Sequence, residues 1–515
     1  MLNKLFKSLP LFTATICLIP GLASACSLSF TSPASGSTSQ KASITVTGTG
    51  SGDADSGDYG SVTATVNGQV FFQYSGKFTS IVQFLQSGQA SAPLSKGRNH
   101  LRVSGSVGGC SASDSMVVFY SPPLNGAEKE QGEASCKAGN PISIGGGNKY
   151  QLETILSSVI PLELHYNSIA QEWRHSFQSS FIINNDKANL LTPSGKGLIF
   201  SLNNGEWLSD SDIFYRVTDL GSGASPRWEL RRPNGVIERY DQTGRLYSLV
   251  NLSGETTSLS YFKPDSIFTL FGETKVLTQH TTVIQNHLGD ILLLSYGDNG
   301  HLSSAQLNNE VNHSFNFDAE GRLLSRTDNE GNTTQYHYED TRFPNHLTGI
   351  TGPDGKRFAS WAYDDQGRGI MSEHAGQEHV ELVFNTDGST TVTNELGKQT
   401  TYHFSEIEGL KRPTLIEGHA TANCVGSNKA YTYYPSGLLE TKTDWAGNTT
   451  RYEYNDRGLI TLIAEAEGSP QERITTQVWD STKPLLLERV QGSQRTRFSY
   501  NSTNQLTDTT QDSLQ

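Results

Sequence analysis

The chain has 515 residues, a formal charge of −13, 35% apolar and 18% charged residues, and 50 glycines. The length suits about three or four domains. The balance excludes charge-rich disorder and a helical bundle, and abundant Gly, Thr and Tyr favour extended strands broken by turns. So acidic a chain is a poor polyanion binder, which argues against nucleic acid as a partner.

In chain order, the N-terminus reads as an export signal over residues 1–25. Lys4 and Lys7 open it, Leu9 to Leu22 is mostly apolar, and Ala23-Ser24-Ala25 forms a small-residue cleavage site. The apolar run is too short for a membrane span, and no later stretch is long enough for one. The mature chain is therefore expected to be secreted or at the cell surface, with the periplasm as an alternative. Cys26 follows the small residues as an acylated cysteine would in a lipoprotein, but Ala23 stands where such signals usually carry Leu. Without lipidation, Cys26, Cys110, Cys136 and Cys424 make an even set suited to disulfides.

Residues 26–122 read as a small Ig-like β-sandwich. Val62, Ala64 and Val66 alternate with Ser61, Thr63 and Thr65, and Asn67-Gly68 supplies a hairpin turn. Cys26 lies before the first strand and Cys110 before the last, so a bridge between them is expected to staple the ends; lipidation would exclude it. Asp53, Asp55 and Asp58 cluster in GDADSGDYG, but a helix-loop-helix calcium site needs Gly where Asp58 stands. A solvated turn-rich loop accounts for them.

SPPLNGAEKEQGEAS supplies a polar linker over 123–135. Residues 136–235 read as a second β domain, in which Leu162, Leu164 and Tyr166 alternate with Glu163, His165 and Asn167. Parity puts Glu163 and His165 on a wet face. Gly145-Gly146-Gly147 reads as a tight turn and not a phosphate cradle, since no strand-to-helix context or Gly-Lys-Ser/Thr follows.

From 236 to 515 one pattern repeats. Gly is followed at plus three, five and seven by a common residue type: Gly331 by Thr334, Tyr336 and Tyr338; Gly397 by Thr400, Tyr402 and Phe404; Gly447 by Thr450, Tyr452 and Tyr454. Polar residues such as Gln335, His337, Thr401 and His403 intervene, so one strand face is aromatic and the other wet. A second turn places an apolar residue two after Gly, as in Gly244–Leu246, Gly321–Leu323 and Gly458–Ile460. Glycine at these turns reaches positive φ at little cost. Each unit is a hairpin that cannot bury its aromatic face alone and must stack on neighbours.

YDQTGRL (240–246), FDAEGRLLSRTDNEGNTTQYHYED (317–340), YDDQGRG (363–369) and TDWAGNTTRYEYNDRGL (443–459) resemble the Rhs or YD repeats of bacterial Rhs proteins, toxin-complex subunits and teneurins. GNPISIGGGNKYQLE, PLELHYNS and EWRHSF resemble the domain that opens Rhs shells. The resemblance covers roughly 136–515 and implies an all-β chain, with a curved spiral of hairpins following the sandwich. It further implies a hollow shell around a toxin, closed by a core segment that in many members cleaves the toxin free with an Asp pair. Neither that core motif nor a non-repeat C-terminal domain is found. The chain is therefore expected to be the leading part of a shell without plug or cargo, completed by a separately encoded toxin or shell protein.

No residue pattern demands catalysis, a metal or a cofactor. His374 and His379 stand among Glu373 and Glu378, but a spacing of five sends them to opposite strand faces, and no HExxH, C-x-x-C or G-x-S-x-G occurs. Asp241, Asp318, Asp444 and Asp456 sit where turn chemistry explains them. A Cys136–Cys424 pair is a further candidate, which sequence cannot place. The leading expectation is a non-catalytic scaffold. The alternative is adhesion or glycan binding, through rings such as Trp445.

Overall fold

The computed structural model describes residues 27–514 apart from 34, 36, 40, 52–58, 78–88, 95–96, 108–109, 121–123, 125–126, 133–135, 271–272 and 420–426. The export signal, Cys26, Cys424 and the Asp53/Asp55/Asp58 loop lie outside those residues. The described chain is almost entirely strand, as alternating sequences punctuated by Gly require.

Residues 27–120 build two sheets. Three strands (Ser27–Ser32, Ser43–Ser51, Ala90–Pro93) face five, ordered Ser37–Ser39, Cys110–Tyr120, Gly97–Val107, Tyr59–Val66, Gln69–Lys77. Leu28, Val46 and Ala92 of the first sheet pack on Val62, Val66, Leu101 and Val118 of the second. Asn67 (φ 48°) and Gly68 (φ 81°) form the expected hairpin turn.

Residues 137–208 form small antiparallel sheets of two, three and four strands. The strand Leu162–Asn167 departs from the parity reading. His165 is only 8% exposed, its Nδ1 lies 2.7 Å from the Tyr150 hydroxyl, and Asn167 is buried too. Chain lies over both sides of this sheet: Gly132 donates its N–H to Asn167 Oδ1 at 2.8 Å, while Leu162, Leu164 and Tyr166 enter the main core. Burial, and then the positive charge of nearby Arg174, pull the His165 pKa down to about 4.

From Arg216–Asp219 to Leu506–Ser513 runs one antiparallel sheet of 26 strands in sequence order, interrupted only by the hairpin Ile267–Leu270/Glu273–Val276. The alternation is as the repeat requires: in Thr333–His337, Thr334 and Tyr336 are buried while Gln335 is exposed. In Arg357–Tyr363, Ala359, Trp361 and Tyr363 point into the core. Each such ring contributes on the order of 1.5–3 kcal/mol by leaving water.

Two contacts show the sheet winding back on itself. Asn504 Nδ2 donates to the Leu252 carbonyl at 2.6 Å, joining the last hairpin to an early turn. A Cβ on Gly235 would stand 3.2 Å from the Pro484 ring. Early and late turns therefore meet along a seam.

The segment 123–135 is folded where it is described. Ala127–Glu130 is a 3-10 turn, and Lys129 is buried. Its ammonium binds Asp210 at 2.7 Å, Asp212 at 2.6 Å and the Glu408 carbonyl at 2.6 Å.

Candidate functional site

Several repeat hairpins carry parts of a three-part clasp, which is complete at Asp241, Arg245 and Tyr261 and at Asp318, Arg322 and Tyr338. At the closed turn, an Asp follows the aromatic residue and accepts from the turn's own N–H groups. Asp318 Oδ1 takes the Arg322 amide at 2.9 Å and its Oδ2 the Arg322 Nε at 2.6 Å. Asp241–Arg245 and Asp364–Arg368 repeat this pair, with Nε to Oδ2 at 2.8 and 2.7 Å. The same arginine then lies over a ring of the following hairpin: Arg245 on Tyr261 at 4.5 Å, Arg322 on Tyr338 at 5.7 Å, Arg368 on Phe384 at 4.2 Å.

The tyrosine hydroxyl closes the clasp. A register shift between Asn316 and Phe317 leaves Leu323 at the bulge, and the ladder to the next strand pairs only Ser325–Thr327. Tyr338 Oη therefore donates to the Leu323 carbonyl at 3.1 Å. Tyr261 does the same for Leu246 at 2.7 Å, Tyr454 for Leu439 at 2.9 Å and Tyr500 for Leu486 at 2.9 Å.

One face of the sheet is covered by the chain's own residues 136–200. Tyr166 Oη donates to the Asn345 carbonyl at 2.7 Å and accepts from the Leu347 amide at 2.9 Å. Trp173 Nε1 donates to Tyr338 Oη at 2.8 Å, and His175 Nε2 stands 3.0 Å from Tyr296 Oη. Further along, Trp361 Nε1 donates to the Asn140 carbonyl at 2.7 Å and Thr390 Oγ1 to the Ile144 carbonyl at 2.9 Å. Residues 136–200 thus fill this face of the sheet. The glycine run has a packing role there, since a Cβ on Gly147 would stand 2.5 Å from Arg368 Cβ.

Within that cover, Lys149 is fully buried. Its Nζ donates to Asn140 O (2.8 Å), Tyr150 O (2.7 Å) and Gln151 Oε1 (2.8 Å) and lies 4.0 Å from the Trp361 ring. Burial lowers its pKa and Glu153 opposes that. Three acceptors and a ring face match an ammonium with three donors.

Cover thins along the sheet. Tyr336 is buried; Tyr338, Tyr402 and Phe404 are partly buried against the main core. Tyr452 and Tyr454 are only half-buried, like every residue of Leu439–Thr443 and Thr449–Tyr454. The turn glycines Gly244, Gly321, Gly331, Gly447 and Gly458 all have positive φ. Two kinds differ: a Cβ on Gly244 would meet the Phe181 carbonyl at 2.4 Å, whereas Gly331 and Gly447 face open space.

Cys136 is a free, half-buried thiol whose pKa burial pushes up to about 11. Its expected partner Cys424 is outside the described residues, and of Cys110 only the backbone is described. His379 sits between Glu381 at 3.1 Å and Glu373 at 3.5 Å; the hydrogen bond to Glu381 and then that to Glu373 raise its pKa. Trp445 is 44% exposed, with Lys429 Nζ 5.7 Å from its ring centroid. Among the described residues, one carboxylate group has metal-like spacing, Asp210, Asp212 and Glu408. Lys129 and Arg412 already neutralise it, Arg412 Nη2 reaching Asp212 at 2.5 Å. The sequence reading missed this clamp, and nothing in local spacing signals it. The Asp–Arg clasp was legible in YDQTGR, FDAEGR and YDDQGR as a recurring Asp and Arg four apart.

Residues 236–393 match the family described as Teneurin YD-shell. Teneurin-m of Drosophila melanogaster is 32% identical over 84 residues, which are 16% of this chain and 3% of the teneurin. Among solved structures, TcdB2-TccC3 matches 71% of this chain and 20% of its own length, at 11% identity and a TM-score of 0.30. A Tc holotoxin pore of Photorhabdus luminescens matches 70% and 23%, at 10% identity and a TM-score of 0.23. The chain therefore spans a small fraction of the length of these relatives. No helix among the described residues is long and apolar enough to cross a membrane.

Proposed function

We infer that this chain, which matches the Teneurin YD-shell family over residues 236–393 and carries Rhs/YD-type repeats, works as a secreted, non-catalytic wall that seats a polypeptide, either toxin cargo or a shell-completing protein made separately. One observation carries the reading. The same face of one continuous sheet is sealed by residues 136–200 up to about Phe404, then continues with its tyrosines half-buried at 452 and 454. A face built on the same repeat, alike in chemistry but unsealed, is suited to a polypeptide that buries the remaining rings. The basic-apolar-small N-terminal sequence supports export.

The test is co-expression with the polypeptides encoded beside this chain. A discrete complex that protects residues 439–463 from hydrogen exchange supports the wall. Lack of any complex, together with catalytic turnover lost on changing a single carboxylate, sinks it. A second reading, surface glycan binding, rests on exposed Trp445. Selective glycan-array binding abolished by Trp445→Ala would favour it.

A further inference from the structure

Where early and late turns meet, the seam opens into a cleft of about 400 Å³. Five cationic side chains line it, Arg216, Arg231 and Arg232 from the first strands and Arg457 and Lys483 from the late turns, and no carboxylate does. In a chain of net charge −13 this is a marked local reversal.

Counter-charge accounts for only part of the cluster. Arg232 pairs with buried Glu238, and Arg231 lies 3.5 Å from Glu229, which Arg239 shares at 3.1 Å. Arg216 pairs with no carboxylate among the described residues. Arg457 Nη1 donates to the Lys483 carbonyl at 3.3 Å, and its Nη2 donates to that of Asp480. Lys483 Nζ donates to Asn504 Oδ1 at 2.6 Å. These neutral partners orient the cations without cancelling them. The Nε of Arg232 is buried with no acceptor.

Guanidinium forks match tetrahedral oxyanions, and like charges gathered in one cleft are relieved by an anion. Ser481 adds a hydroxyl at the rim, whereas the N–H and hydroxyl of Thr482 are given to Asp480 Oδ1 at 2.9 and 3.0 Å. The net acidity of the chain does not oppose this, because charges beyond about 8 Å are screened at physiological salt. The volume falls in the ligand-sized range of roughly 300–1,000 Å³. We propose that the cleft binds a small anion bearing a phosphate or sulfate group, and that the ligand ties the first strands of the sheet to its last turns.

The full chain is titrated calorimetrically at fixed ionic strength in chloride with inorganic phosphate, inorganic sulfate, glucose 6-phosphate and glucose 6-sulfate. Melting temperature is recorded beside each titration. The proposal expects saturable binding and an upward melting shift with at least one probe. Binding by the inorganic ions as tight as by the sugar esters identifies the free oxyanion as ligand; tighter binding of the esters identifies an anionic sugar. Arg216→Gln, which removes no ion pair, should weaken binding tenfold or more and abolish the melting shift. Arg473→Gln, at an exposed pair with Glu465 on the same sheet, should leave both unchanged. No saturable binding by any of the four probes, or wild-type affinity in Arg216→Gln, overturns it.

Discussion

Tyr338→Phe and Tyr454→Phe make the same chemical change at equivalent repeat positions, and they should not have the same effect. At Tyr338 the lost oxygen strands two groups: the Leu323 carbonyl it donates to and the Trp173 N–H it accepts. Leu323 is 0% and Trp173 8% exposed, so water does not readily replace the hydroxyl. At about 1–3 kcal/mol for each stranded buried group, less what the phenyl ring regains, the loss should be about 2–4 kcal/mol. Tyr454 bonds only Leu439, in a strand half-open to solvent, and there the loss should be about 0.5–1 kcal/mol. Urea unfolding followed by tryptophan fluorescence, with circular dichroism as a second probe to check for a shared transition, measures both variants against the parent. Equal losses, or a larger one at Tyr454, would refute the claim that residues 136–200 seal one stretch of the face and not the other.

Stability should fall on acidification from pH 6.5 towards 4. The His165 imidazole is held neutral down to about pH 4 in the fold, while the unfolded chain takes up its proton near 6.5. The stabilisation is thus full above 6.5 and lost through that window, by about 3 kcal/mol; His165→Gln should flatten the profile between those values, and an unchanged slope counts against it. Gly331→Ala, at φ 86° in open space, should cost about 1–2 kcal/mol in a thermal melt. Gly244→Ala should cost clearly more, because its Cβ would collide with the Phe181 carbonyl. Lys149→Met strands three buried acceptors and should lower urea stability by about 3 kcal/mol or more; a neutral result would mean the ammonium is not what fills that site.

What sequence conveyed well was local. Period-two alternation after Gly331 placed Tyr336 inward, and the turn glycines have the backbone they were expected to need. Asn67-Gly68 likewise marked its hairpin. What it conveyed poorly depended on contacts between distant segments. His165 looked wet because its strand alternates, yet a second layer lies over that side. Lys129 looked like solvated linker, but its carboxylate partners stand about eighty residues on. The role of the tyrosine hydroxyls was hidden as well, since the bulges that leave Leu246, Leu323 and Leu439 carbonyls without strand partners appear only once the register is known.

Hydrogen–deuterium exchange on the intact chain tests the sealed-face account most directly. Strands from Leu302–Leu307 to Arg357–Tyr363, covered by residues 136–200, should exchange more slowly than Leu439–Thr443 and Thr449–Tyr454 of the same sheet, by tenfold or more. Uniform exchange across the two groups, or faster exchange in the first, would contradict it.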